Sequence, residues 1–194
     1  EKHDELNIGV VGLGCGVLAT YGRPTDHMQM IEINPAVIEI ANTHFSFLAD
    51  SKARITTHTG DGRLILERMS DEQFDILVLD AFSSDAIPAH LLTREAFQLY
   101  KKRLRKQGVL AVHLSNNHLD LVPLVHRLSQ DSKLKSKVIR SSANQTLGTH
   151  AATWAVIMVQ DHPLWNSETL RHAQEPKKNE LTSAPLWTDQ RHNL

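Results

Sequence analysis

The chain has 194 residues, 41% hydrophobic and 22% charged, enough apolar material to give one domain a real core. Lysine plus arginine number 21 against 22 for aspartate plus glutamate; a net charge of −1 argues against a broad phosphate-backbone binder, which carries a basic excess. The one cysteine, Cys15, excludes an internal disulfide and suits a reducing compartment, and no apolar run approaches the ~20 residues that cross a bilayer.

A soluble, cytoplasmic segment is therefore expected, with no membrane insertion of its own. It opens Glu1-Lys2-His3-Asp4, without Met or a basic-then-apolar leader, as a processed form or a piece of something longer would. The first apolar run, 7–11, reads as a buried strand. Gly12-Leu13-Gly14-Cys15-Gly16 follows it directly and opens a helix. A second strand covers 28–33. Asn34-Pro35 then supplies an N-cap and a proline at the first helical position, and Val37, Ile40, Ala41, His44 and Phe45 recur at helical spacing. A third strand, 54–58, leads to Gly60-Asp61-Gly62-Arg63 and a helix carrying Leu64, Ile65 and Leu66. The fourth strand is 74–79. A helix from about Thr93 to near Gly108 precedes the fifth, 108–114, and another helix covers about 119–129.

The first six strands, the sixth being 137–142, are nearly continuous in apolar residues and read as buried. Alternation with helices predicts a parallel sheet with helices on both faces. The rhythm breaks before the seventh strand, 153–159. The ten residues after Ser142 are too few for a parallel crossover, so this strand returns antiparallel beside the sixth. That arrangement is a class I methyltransferase-like (Rossmann-like) α/β sheet of seven strands, mostly parallel, as found in S-adenosylmethionine-dependent transferases. Residues 1–160 form the expected nucleotide-binding catalytic domain, and 161–194, anchored only by Trp165 and Trp187, a tail loosely docked or mobile.

In the glycine loop the backbone can approach a ligand with no Cβ in the way. Val17 stands where a dinucleotide fingerprint wants its third glycine, which disfavours a pyrophosphate. Glu32, twenty residues after Gly12, either accepts from both hydroxyls of an adenosine ribose or is a solvated strand-end carboxylate. Asp61 can accept from an adenine amino group and cap its helix at once. Cys15 reads as a small residue against the cofactor, or as a thiol activated by a helix N-terminus. Gly12, Leu13, Gly14, Gly16, Glu32, Ile33, Asp61, Gly62, Asp80 and Ala81 are the expected nucleotide contacts. Asp80 ends the most apolar strand and faces the reacting end of the ligand. Asp85, on the following loop with Ser83 and Ser84, either meets a cationic amine or caps a turn. His113 and Asn116 either line the amine side or, for His113, satisfy the core. The twelve histidines hold no H-E-x-x-H or comparable cluster, so no metal is expected.

Val10-Val11-Gly12-Leu13-Gly14-Cys15-Gly16, Ile31-Glu32-Ile33-Asn34-Pro35, Gly60-Asp61-Gly62-Arg63 and Leu79-Asp80-Ala81-Phe82-Ser83-Ser84-Asp85-Ala86-Ile87-Pro88 together resemble the spermidine synthase family over roughly residues 7–160. More narrowly, they are similar to spermidine-synthase-like domains found alone or fused to bacterial membrane segments. The resemblance implies a polyamine aminopropyltransferase using decarboxylated S-adenosylmethionine as co-substrate and a small-molecule amine such as putrescine as acceptor, with no nucleic acid partner. It also leaves room for a homodimer. By position, Asp80 matches the acid that orients or accepts the amine proton. Asp85 matches the second acid of that loop, and Glu32 and Asp61 match the ribose and adenine carboxylates; Ser83 and Ser84 lie on the amine side. The family's N-terminal β-rich domain, which supplies part of the amine pocket, lies outside this sequence, and the loop after Asp80 carries one extra residue.

Three other readings compete with this one. An S-adenosylmethionine-dependent small-molecule methyltransferase would use every cofactor residue named. A nucleotide-binding domain of a larger, membrane-fused protein would use them without chemistry. A nucleic-acid enzyme would draw on Lys101-Lys102-Arg103-Leu104-Arg105-Lys106, but those cations fall in the last turn of a helix, where they offset its macrodipole.

Overall fold

A computed structural model describes residues 5–69, 71–82, 87–116, 119–146, 148–176 and 185–191. In chain order it holds β1 (Asn7–Val11), β2 (His27–Glu32), α1 (Pro35–His44), β3 (Arg54–Thr59), α2 (Gly62–Arg68), β4 (Phe74–Leu79), α3 (Arg94–Arg103), β5 (Leu104–His113), α4 (Val122–Asp131), β6 (Lys135–Ser141) and β7 (Ala152–Met158). The sheet order is β3-β2-β1-β4-β5-β7-β6. Only β7 runs against its neighbours, inserted between β5 and β6. The antiparallel return expected from the short connection is therefore present.

Alternation along the strands divides the core in two. Val11, Leu77, Leu79, Leu110, Val112 and Ile157 face α2, α3 and α4, whose Leu66, Phe97, Tyr100, Val125 and Leu128 complete one layer. Ile8, Val10, Met28 and Met30 face the other way, onto Ala41 and Val37 of α1 and Ala19 of a short 3-10 turn. Burial of each large aliphatic or aromatic side chain contributes about 1.5–3 kcal/mol. Tyr100, fully buried, donates its hydroxyl to the Leu91 carbonyl at 3.0 Å, and burial pushes its phenol well above the ordinary range.

Four expectations need correction. The glycine loop opens a 3-10 turn, Val17–Tyr21, rather than an α-helix, because Gly22 and Pro24 stop it after one turn. β3 and β6 are edge strands, so β3 is half-exposed along its length rather than buried. α3 ends at Arg103, not near Gly108, because Leu104 already pairs with Phe74; the register then shifts to bring Val109 opposite Ile76. The polar run between them belongs to a strand entrance, which apolar pattern cannot show. Of the basic residues around this junction, Arg103 is buried and donates to the Met69 carbonyl, part-exposed Arg105 pairs with Asp75, and Lys101, on the surface, donates to the Ser132 carbonyl. Finally, α4 starts at Val122, with Pro123 in its first turn and the Asp120 carboxylate accepting from the Val122 amide.

Past β7 the described residues return to the sheet. Trp165 and Leu170 pack with Met158, Val156 and Val109 on the face that α4 leaves open, and Trp165 Nε1 donates to the Val159 carbonyl. Trp187 joins the main core, with its carbonyl accepting from the Arg94 amide at 2.9 Å. Among the described residues no helix is long and apolar enough to cross a membrane.

Candidate active site

Strand order reverses between β1 and β4, and a cavity of about 300 Å³ opens beyond their carboxyl ends. Three backbone bonds lock the strand ends that frame it. The Gly12 amide donates to the Ile31 carbonyl, Asp80 to Val11 and Gly60 to Glu32, each within 2.9 Å. Gly12, Leu13, Gly14, Glu32, Ile33, Asp61, Gly62, Asp80 and Ala81 all line this one space. Gly16 does not. Its φ of +88° turns the chain away, and a Cβ there would sit 3.0 Å from the Leu48 side chain, so its task is packing. Cys15, a free thiol, is also outside the lining. Ser83, Ser84 and Asp85 lie outside the described residues.

Three carboxylates ring the cavity, each held by partners of its own. Glu32 accepts from the Leu13 amide on Oε2 (3.1 Å) and from the Asn34 amide on Oε1 (2.9 Å). A carboxylate offers about four lone-pair sites, so each oxygen keeps one for a ligand hydroxyl. Asp61 caps α2 by accepting from the Leu64 amide at 3.0 Å, and its Oδ2 lies 2.8 Å from His90 Nε2. Burial opposes its ionisation, but the Leu64 amide and His90 outweigh that and hold the carboxyl below its ordinary range. Asp80 Oδ1 lies 2.6 Å from His113 Nδ1. His113 is thus at the end of β5, part-exposed and bonded through both ring nitrogens. Asn116 lines a second, more open cavity of about 400 Å³, with Asp120 and Arg140.

His90, Phe82, Pro88 and Val37 also line the main cavity, and the sequence pointed to none of them. Val37 was legible only as a helix-face residue. His90 is brought to Asp61 by a 3-10 turn, Ala89–Leu91, whose start Pro88 favours but whose direction no spacing encodes.

Arg63, from the Gly-Asp-Gly-Arg run, points away from the cavity into a clamp. Its guanidinium grips both Asp189 oxygens at 2.6 and 2.5 Å and also donates to the His90 carbonyl at 3.2 Å. Thr93 donates its hydroxyl to Asp189, and the Asp189 amide donates to Glu95. The Arg63 guanidinium holds the Asp189 carboxyl down at about 2. A carboxyl depressed on folding stabilises while ionised, so this contribution is whole above the ordinary value of 3.8 and lost as pH falls through about 2. Asp189→Asn is expected to flatten that acid limb of thermal stability and to loosen the His90 turn; superimposable melting-midpoint curves for variant and wild type between pH 5 and 2 would refute the clamp's role.

Strand order, the antiparallel last insertion and a cavity at the switch point define a class I methyltransferase-like fold. The chain belongs to the spermine/spermidine synthase domain family, whose profile matches residues 7–168. The polyamine aminopropyltransferase of Vibrio vulnificus is 36% identical over 109 residues, which take in 54% of this chain and 36% of that protein. The match thus spans well under half of that relative's length. A probable spermidine synthase from Corynebacterium glutamicum superposes with a TM-score of 0.67 at 16% identity, covering 98% of this chain and 74% of the other. Human methyltransferase-like protein 13, solved in complex with SAH, superposes at 0.66 with 19% identity, over 91% of this chain and 77% of that one.

Proposed function

We propose that this domain transfers an aminopropyl group from decarboxylated S-adenosylmethionine to a small amine such as putrescine. The observation that carries the reading is the ring of Glu32, Asp61 and Asp80 around one cavity in a member of this family. Glu32 suits the ribose hydroxyls and Asp61 the adenine amino group. Asp80 stands where the sulfonium and the attacking nitrogen meet, so its negative charge favours both the cationic donor and the developing ammonium. The neutral amine attacks the methylene carbon next to sulfur as the carbon–sulfur bond breaks. Methylthioadenosine leaves as a neutral thioether, and the nitrogen's extra proton passes to Asp80.

The lining also favours a donor without a carboxylate. Among the described residues of the cavity there is no lysine or arginine to receive one, and the sequence 83–86 supplies none. The second reading, methyl transfer from S-adenosylmethionine, draws on the superposition with human methyltransferase-like protein 13. The two separate on the donor. Calorimetric titration is expected to show tighter binding of the decarboxylated form, and incubation with putrescine to yield methylthioadenosine. Preference for the carboxylated donor, with S-adenosylhomocysteine as product, would overturn the aminopropyl reading.

A further inference from the structure

We infer that His113 is a positioning residue for Asp80, fixing the direction in which that carboxylate meets the acceptor amine. This rests on the role proposed for Asp80. The alignment begins in the sheet: Leu79 pairs with Val112 across β4 and β5, so the next residues, Asp80 and His113, leave the sheet side by side. Their side chains meet at 2.6 Å, Asp80 Oδ1 to His113 Nδ1. The other ring nitrogen, Nε2, lies 2.7 Å from Ser115 Oγ, and that oxygen accepts from the Thr153 amide at 2.9 Å.

A carboxylate oxygen only accepts, so the contact to Asp80 Oδ1 takes its proton from His113 Nδ1–H. At Nε2, Ser115 Oγ can serve as donor or as a second acceptor beside the bond it takes from the Thr153 amide.

Packing removes the remaining freedom. Trp154, the β7 residue paired with His113, stacks on the imidazole with centroids 4.4 Å apart and planes 6° from parallel. Phe82 meets it edge-on at 4.8 Å and 72°. The ring can neither flip nor tilt without breaking a stack or a bond. Asp80 is thus held through Oδ1, which leaves Oδ2 to face the cavity that the residue lines. A carboxylate oriented before the substrate arrives spares the reaction that ordering step.

The test uses two substitutions at one position. His113→Phe keeps a ring between Trp154 and Phe82 but removes the donor; His113→Asn keeps an N–H near the Nδ1 position. His113→Phe is expected to lower kcat on the order of 10²-fold, with KM for the donor and affinity for methylthioadenosine little changed. His113→Asn is expected to recover most of that loss. Equal loss in both variants, or none in His113→Phe, would overturn the assignment. Nitrogen-15 spectroscopy of the wild-type imidazole supplies a readout independent of turnover. A protonated Nδ1, its proton shifting upfield in Asp80→Asn, supports the pairing; a bare Nδ1 overturns it. Should wild type transfer nothing from either donor, the aminopropyl reading fails, while the spectrum still decides the His113–Asp80 pairing.

Discussion

Asp80→Asn is expected to lower the rate of transfer by about 10²- to 10⁴-fold, the usual worth of a positioned acid–base group, while the protein still binds methylthioadenosine. The substitution is nearly isosteric and disturbs little of the frame. The introduced carboxamide can still accept the His113 Nδ1–H through its oxygen, and the Asp80 backbone bond to Val11 does not involve the side chain. That same contact decides what the variant presents to the substrate. With its oxygen on His113, the carboxamide turns its NH₂ toward the cavity, where the attacking nitrogen also carries N–H bonds. Two donors then face one another, no acceptor takes the proton, and the negative charge beside the sulfonium is gone. The effect should therefore fall on kcat more than on nucleoside affinity, which Glu32 and Asp61 support. Single-turnover product formation with saturating donor measures it. Turnover of Asp80→Asn within a few-fold of wild type would remove this carboxylate from the chemistry.

Much of this site was legible because its parts sit at strand ends. A nearly unbroken apolar strand ending in an acid announces a carboxylate at the sheet's carboxyl edge, and Asp80 obeys that rule. Glu32 and Asp61 follow from the same logic on β2 and from the glycine-flanked turn after β3. The antiparallel β7 could be inferred from the short connection alone. His113 was harder to read: a histidine at the end of a strand looks alike whether it satisfies the core or serves a neighbour. What distinguishes the cases is the partner strand, since the β4–β5 register sets His113 beside Asp80 and the β5–β7 pairing lays Trp154 on it. His90 is a contact between a 3-10 turn and a helix cap 29 residues apart, which no local pattern carries. The early start of β5 was hidden for a related reason, because Leu104, which pairs with Phe74, is followed by polar residues 105–107 where the register shifts, and they break the apolar run.

The glycine loop supplies the second large effect, and its glycines are not equivalent. Gly12 has φ of +97°, and a Cβ added there would lie 2.2 Å from the Asp80 carbonyl oxygen, 2.6 Å from its carbon and 2.9 Å from the Ala81 nitrogen. All three neighbours are backbone, so no rotamer change can relieve the clash. β1 and β4 would have to part where their ends frame the cavity, loosening the Asp80-to-Val11 and Gly12-to-Ile31 bonds, both 2.8 Å. Gly12→Ala is therefore expected to cost about 1–3 kcal/mol in backbone strain and about as much again in overpacking. For a domain of this size that lowers the melting midpoint on the order of 10 °C. Nucleoside binding should be lost with it, because Asp80 and Leu13 move apart from Glu32. Gly14 provides the contrast within the same loop. Its φ of +55° lies in the left-handed region, but nothing stands within 4 Å of an added Cβ, so Gly14→Ala bears a conformational cost of about 1 kcal/mol. Differential scanning calorimetry of the two variants separates steric approach from backbone freedom: equal melting points would show that the close passage of β1 over Asp80 does not hold the site together.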